Sequence, residues 1–382
     1  THVRLGVDEQ GRGTAAVSAQ MLELARSNAL KLVPIVPHLE QIESTGIFER
    51  LPQTAGRGDP EKWAKSGHVR PACWSQPDTV RVLGDWMVAL AGHEGVTDLC
   101  VWLSENAVKC ECEQCADKNQ FALETAAILA GYERARQVKP DLGLRILLTQ
   151  GSYESNELVL SMVPPGVGVT YYHGGKTYDS SRDPMIYPLL EQWAARGNWL
   201  GCYPQLTASW RIVCPWSGPQ FIRYRMTEFV DKGLSCLCGY ATPNNRLYEF
   251  NIAAAAEWSW NAHGRDETQF ARAFFTRRGL ADPEAAAEWA VTLGPVGWDI
   301  YGGRIPYYWV YGSAAASLEA RRAPTLGTGW YRYLETPERF EEDLAAVARA
   351  TEIAQRLDDP LLIVETKVIG GYLTMLKMLY DM

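Results

Sequence analysis

In the stretch VWLSENAVKCECEQC, residues 101–115, Glu105 closes an apolar run, and Cys110, Cys112 and Cys115 follow within ten residues. A lone carboxylate at a strand tip is suited to proton transfer, provided that apolar neighbours such as Trp102 favour its protonated form. The three cysteines form C-x-C-x-x-C, and Cys73 precedes the same strand unit. Four thiolates would make a closed tetrahedral zinc site with Zn–S bonds of ~2.3 Å, structural because no ligand position stays open. Disulfides and free thiols remain alternatives. The total of nine cysteines is odd, which argues against a fully paired framework.

Other residues with chemical potential follow further apolar runs. These are Asp8 and Glu9, His38 and Glu40, Asn106, Gln150, Tyr153 and Glu154, His173, Gln205, and Asn244 and Asn245. Among remaining carboxylates, Asp179 in YYHGGKTYDSSRD is the preferred partner for Glu105, with Asp183 and Glu257 behind it. His173 could hydrogen-bond a hydroxylated ligand or tune an acid. Tyr171, Tyr172, Tyr203, Trp210, Trp216 and Trp258 are candidates for a stacking platform. Tyr203 and Trp210 are preferred, and Asn106 and Asn244 could supply polar contacts. Cys236 and Cys238, two residues apart on one strand, read as small core residues.

Elements must bring these residues together. Apolar runs at 2–7, 31–36, 97–103, 144–149, 167–172, 198–203 and 234–239 read as strands. Amphipathic stretches near 14–29, 78–93, 118–138, 186–196 and 217–232 read as helices between them. Strands apolar throughout imply a parallel sheet covered on both faces. The polar residues at their C-terminal ends favour a (β/α)8-type barrel, seven strands being one short of closure. The first strand of such a barrel would lie upstream of this chain or be missed. No G-x-G-x-x-G or phosphate loop follows the first strand, so no organic cofactor is expected. The segment 38–76 reads as a large loop over the barrel mouth. Residues 1–262 would form the barrel and 263–382 a helical region. In the latter, Thr336, Pro337 and Glu338 mark the start of a helix running to 357.

The chain has 382 residues, 47% of them hydrophobic, and a formal net charge of −8. Scattered Lys and Arg give no footprint for nucleic acid, and no apolar run is long enough to cross a membrane. No signal-peptide pattern opens the chain, so its compartment is left open. Fourteen Trp and eighteen Tyr suit flat hydroxylated ligands as well as core packing.

ALKLVPIVPHLEQI (29–42) resembles the third strand of β-hexosaminidase and α-glucuronidase-like barrels. ACWSQPDTVRVLGDWMVAL followed by TDLCVWLSENAVKCECEQC resembles bacterial glycosidase-like domains found with α-glucuronidases, and so does GLSCLCGYATPNNRLYEFNIAAAAEWSWN (233–261). The resemblance spans about residues 29–262 and implies a glycoside hydrolase acting on a carbohydrate. In hexosaminidase-like barrels the fourth strand ends in Asp-Glu, the Glu protonating the leaving oxygen. Glu105 matches that Glu, but Ser104 stands where the acetamido-binding Asp would be. The resemblance thus leaves two alternatives. One is an α-glucuronidase-type hydrolase using Arg211 or Lys176 to hold a carboxylate, and the other is a carbohydrate-binding pseudoenzyme. A protein handling metal or redox chemistry through its thiols is a third.

Overall fold

The computed structural model describes residues 3–65, 70–173, 181–206, 214–239, 247–303, 315–322 and 332–381. The chain forms two compact units. The first comprises residues 1–172 and 196–201, and the second residues 173–195 and 202–382.

A hairpin opens the first unit. β1 (Val3–Val7) pairs antiparallel with β2 (Gly13–Val17). The Asp8 carboxylate accepts the backbone N–H groups of Gln10 (2.9 Å) and Arg12 (2.8 Å), and Gly11 supplies the positive φ of 73° that the turn requires. This corrects two expectations. Residues 2–7 are not the first strand of the main sheet, and the helix expected at 14–29 begins only at Ala19, after β2. The Asp8 turn reverses the chain at once, whereas a parallel neighbour would require a helical crossover.

The main sheet holds six strands in chain order: β3 (Ile35–Val36), β4 (Asp98–Trp102), β5 (Gly143–Leu148), β6 (Gly168–Tyr171), β7 (Leu200–Cys202) and β8 (Cys236–Leu237). The pairs β3–β4, β4–β5 and β5–β6 are parallel, with Cys100 opposite both Ile35 and Arg145. Six of the seven expected strands therefore fall in one sheet, and the result is a mixed α/β fold with a parallel sheet. No strand pairing that would close it into a barrel is present among the described residues. Leu99, Cys100 and Val101 of β4, and Ile146, Leu147 and Leu148 of β5, are fully buried, as strands covered on both faces require.

Helices Pro77–Ala91 and Gln120–Val138 flank β4 in sequence. Proline occupies the first turn of the former, and the Asn119 side chain caps the latter by accepting the Ala122 N–H at 3.1 Å. The segment 38–76 is not a bare loop: short helices occupy Leu39–Thr45, Ile47–Arg50, Pro52–Thr54 and Pro60–Lys65.

In the second unit, helices Glu249–Trp260, Glu267–Arg277, Pro283–Tyr301, Pro337–Leu357 and Pro360–Asp381 enclose an aromatic core. Phe250 and Trp258 both pack against Phe270, their ring centroids 5.3 and 4.9 Å from it. The expected Thr336 cap is present, its hydroxyl accepting the Arg339 N–H. No described helix is long and apolar enough to cross a membrane.

Candidate active site and thiol cluster

Glu105 follows the C-terminal end of β4 and is half-buried. Tyr172, just past β6 and 1% exposed, donates its phenolic hydrogen to Glu105 Oε1. Beyond β3, Glu40 accepts the Glu105 backbone N–H at 3.1 Å to each carboxylate oxygen. Glu40 is 4% exposed, and its burial pushes its carboxyl up to about 7. His38 Nδ1 lies 3.1 Å from the carbonyl oxygen of Leu103, and its ring packs against Trp102 and Tyr172 at 4.7 and 5.9 Å. Three strand tips thus hold one partly accessible carboxylate.

Ser104 faces elsewhere. It is 1% exposed, and its N–H and hydroxyl both donate to the fully buried Glu124, at 2.9 and 2.6 Å. Burial raises the Glu124 carboxyl to about 7, and Gln120 Nε2 donates to its Oε1 at 2.8 Å. The Ser104 carbonyl accepts the Thr149 hydroxyl at 2.6 Å, joining the tips of β4 and β5. Gly151 completes this junction: a Cβ there would collide with the Glu105 carbonyl group.

Of the remaining expected residues, Tyr171 is fully buried, Asn106 is half-buried, and Tyr203 is 6% exposed in the second unit. His173 is described there too, partly exposed. Asp179, Lys176, Trp210, Arg211 and Asn244 lie outside the described residues. Trp216 stacks on Phe221 at 5.1 Å and Trp258 bonds the Arg265 carbonyl at 2.9 Å, and both are fully buried. Glu257 pairs with Arg265 at 3.0 Å. Cys238, read as a core residue, is exposed because β8 ends at Leu237.

Sequence reasoning placed Glu40 at a strand tip but did not single it out, and it missed Glu124. A signal for Glu124 exists: Gln120, Glu124 and Ile128 recur every four residues on the buried face of one helix.

The four expected cysteines converge. Their sulfurs all lie within 4.8 Å of one another, with Cys73 Sγ 3.7 Å from both Cys112 Sγ and Cys115 Sγ. A regular tetrahedron with Zn–S bonds of ~2.3 Å has S···S edges of about 3.8 Å, so the donor set fits zinc. All nine cysteines are free thiols. Burial pushes the Cys73 thiol up. In Cys112, burial is outweighed by hydrogen bonds from Cys110, Cys115 and Cys73, which hold its thiol at about 7. Arg57 N–H donates to Cys110 Sγ at 3.3 Å. The cluster joins the segment before helix Pro77–Ala91 to the loop after Glu105.

No protein-family model matches the chain, and no curated protein matches its sequence. Among solved structures the chain is similar to a GH138 enzyme targeting pectin rhamnogalacturonan II, with a TM-score of 0.56 and 11% identity over 93% of this chain. The chain spans about half of that structure, 47% of its length. It also aligns with a mutant of Thermobaculum terrenum O-GlcNAc hydrolase, at a TM-score of 0.49 and 10% identity, covering 97% of this chain and 93% of the other. At these identities the first likeness concerns the fold.

Proposed function

We propose that this chain is a glycoside hydrolase in which Glu105 exchanges a proton with the oxygen of the scissile bond. The observation that carries the reading is the half-buried Glu105 carboxylate, gripped by Tyr172 through its side chain and by Glu40 through its backbone. Such a group sits at the C-terminal edge of a parallel sheet, where α/β enzymes assemble their sites. The fold shared with a GH138 enzyme agrees with this, as does the glycosidase resemblance of the sequence. A (β/α)8-type barrel built on the six-stranded sheet from Ile35 onward is the architecture that would unite the strand tips.

Glycoside hydrolysis requires two carboxyl groups, ~5–5.5 Å apart for retention or ~6.5–9.5 Å for inversion. Asp179 is the proposed second group, and His173 is the proposed residue to tune the acid or bond a sugar hydroxyl. Asn106, Trp210 and Asn244 are proposed to contact the sugar, while the expected contacts Tyr171, Tyr172 and Tyr203 are at most 6% exposed and pack behind it. Substrate-assisted catalysis through residue 104 is disfavoured, because Ser104 is engaged with Glu124. That same observation supports a second reading, a carbohydrate-binding pseudoenzyme. In the first reading the four cysteines would hold a structural zinc ion that supplies no chemistry and fixes the loop after Glu105.

A panel of aryl N-acetylhexosaminides, hexosides and uronides, assayed with wild type and Glu105→Gln, tests the proposal. The expected result is hydrolysis of one class that falls by ~10²-fold or more in the variant, the size of a general-acid contribution. Hydrolysis indifferent to Glu105→Gln would remove Glu105 from the role. Binding without hydrolysis would leave the pseudoenzyme.

A further inference from the structure

We propose that a cavity of about 650 Å³ beside Glu105 binds a neutral, hydroxyl-rich sugar unit, the neighbour of the sugar whose bond Glu105 addresses. This rests on the glycan reading above and extends it from one sugar to two. The cavity is walled by Asn106 and Ala107 after β4, Gly151 and Ser155 after β5, Gln120 at the start of its helix, and Trp63. Its volume falls in the range of ~300–1,000 Å³ usual for small-molecule sites. Neither Glu105 nor Glu40 lines it, but Asn106 follows Glu105 directly. An occupant would therefore lie against the main chain that carries Glu105, which Gly151 of the cavity wall also meets.

Gln120 indicates what that occupant offers. It is 8% exposed, and its Nε2 donates to Glu124 Oε1 at 2.8 Å and to the Asn106 carbonyl at 3.4 Å. These two acceptors fix the orientation of the amide, and its Oε1 is left buried without a hydrogen-bond partner. A buried acceptor without a donor costs about 1–3 kcal/mol. A ligand hydroxyl is the donor that fits. Charge argues for neutrality: Lys109 and Lys118 are matched in the lining by Glu111 and Glu154. Lys109 Nζ is already committed to the Ala116 carbonyl at 2.6 Å. Trp63, 6% exposed, contributes a small apolar patch to the wall.

The test uses Glu105→Gln protein, so that ligands are not turned over. Calorimetric titration would compare methyl glycosides of N-acetylglucosamine, galactose, rhamnose and glucuronic acid with di- and trisaccharides of the same sugars. The expected result is that one sugar binds about tenfold tighter as its disaccharide. Adding Ala107→Trp, at an exposed position on the cavity wall, should abolish that gain while leaving the methyl glycoside affinity and thermal midpoint unchanged. Lys118→Trp, exposed on another part of the wall, should do the same and serves if the first variant is unstable. A methyl glycoside that binds with no gain on extension overturns the second sugar position and leaves the glycan reading standing. A gain that survives in a folded variant overturns it equally. No binding across the panel overturns the glycan reading, and this inference with it.

Discussion

The grip on Glu105 has separable parts at the residue scale. The Tyr172 hydroxyl orients the carboxylate, while the Glu40 carboxylate holds the main chain behind it. Hydrogen bonds to charged groups are worth about 1.5–3 kcal/mol. Tyr172→Phe should therefore lower kcat by about 10- to 100-fold on the substrate that wild type cleaves, with little change in KM. An unchanged kcat in steady-state assays would mean that Tyr172 is packing only. Glu40 was legible as a strand-tip residue; its near-complete burial was not, because that depends on segments distant in sequence closing over it.

The elements transmit position to the site through close backbone contacts and the thiol cluster. At Gly151 a Cβ would collide with the Glu105 carbonyl oxygen and lie 2.8 Å from the Asn106 N, both rigid backbone atoms. Gly151→Ala should cost about 1–3 kcal/mol, as overpacking generally does, and should lower activity by more than its effect on the thermal midpoint accounts for. Unfolding curves alongside rate assays would separate the two. The cysteine cluster predicts about one zinc per chain by elemental analysis. Cys110→Ser should remove the zinc, and a strong chelator should lower the thermal midpoint of wild type but not of the variant. Protein that carries no zinc after expression in zinc-supplemented medium, and is indifferent to chelator, would leave four plain thiols. The spacing C-x-C-x-x-C announced three ligands in sequence. Cys73 joins them because Cys73 N–H bonds the Thr54 carbonyl at 2.8 Å, fixing its segment beside the cluster.

Across the whole molecule, buried carboxyls set the pH response. Glu40, Glu124, Asp343 and Glu365 each have their carboxyl raised to about 7, with burial the largest cause. Glu365 is fastened by the Ser217 N–H at 2.5 Å and its hydroxyl at 3.2 Å. In the unfolded chain such groups titrate near 4, so between about pH 4 and 7 the folded protein holds protons that the unfolded chain has released. Stability should therefore fall as pH rises through that window and level off above about 7. At about 1.36 kcal/mol per pKa unit, each group contributes on the order of 3–4 kcal/mol across the full window. Thermal midpoints at pH 5 and pH 8 should show the loss, and Glu365→Gln, which keeps an acceptor for Ser217, should reduce it. A midpoint that rises over this interval would contradict the burial of these groups in neutral form.

The sequence by itself determined the parallel, two-faced sheet, because strands apolar on both sides carry that signature wherever they lie. It also determined the helix start at Thr336 and the cysteine motif, since caps and ligand spacings are local. Tertiary structure alone decided that Ser104 faces Glu124 instead of the site, and that Glu40 and Tyr172 converge on Glu105. Those outcomes depend on which segments bury one another. Burial here joins residues 20 to 67 positions apart, and no local pattern of residue types encodes it.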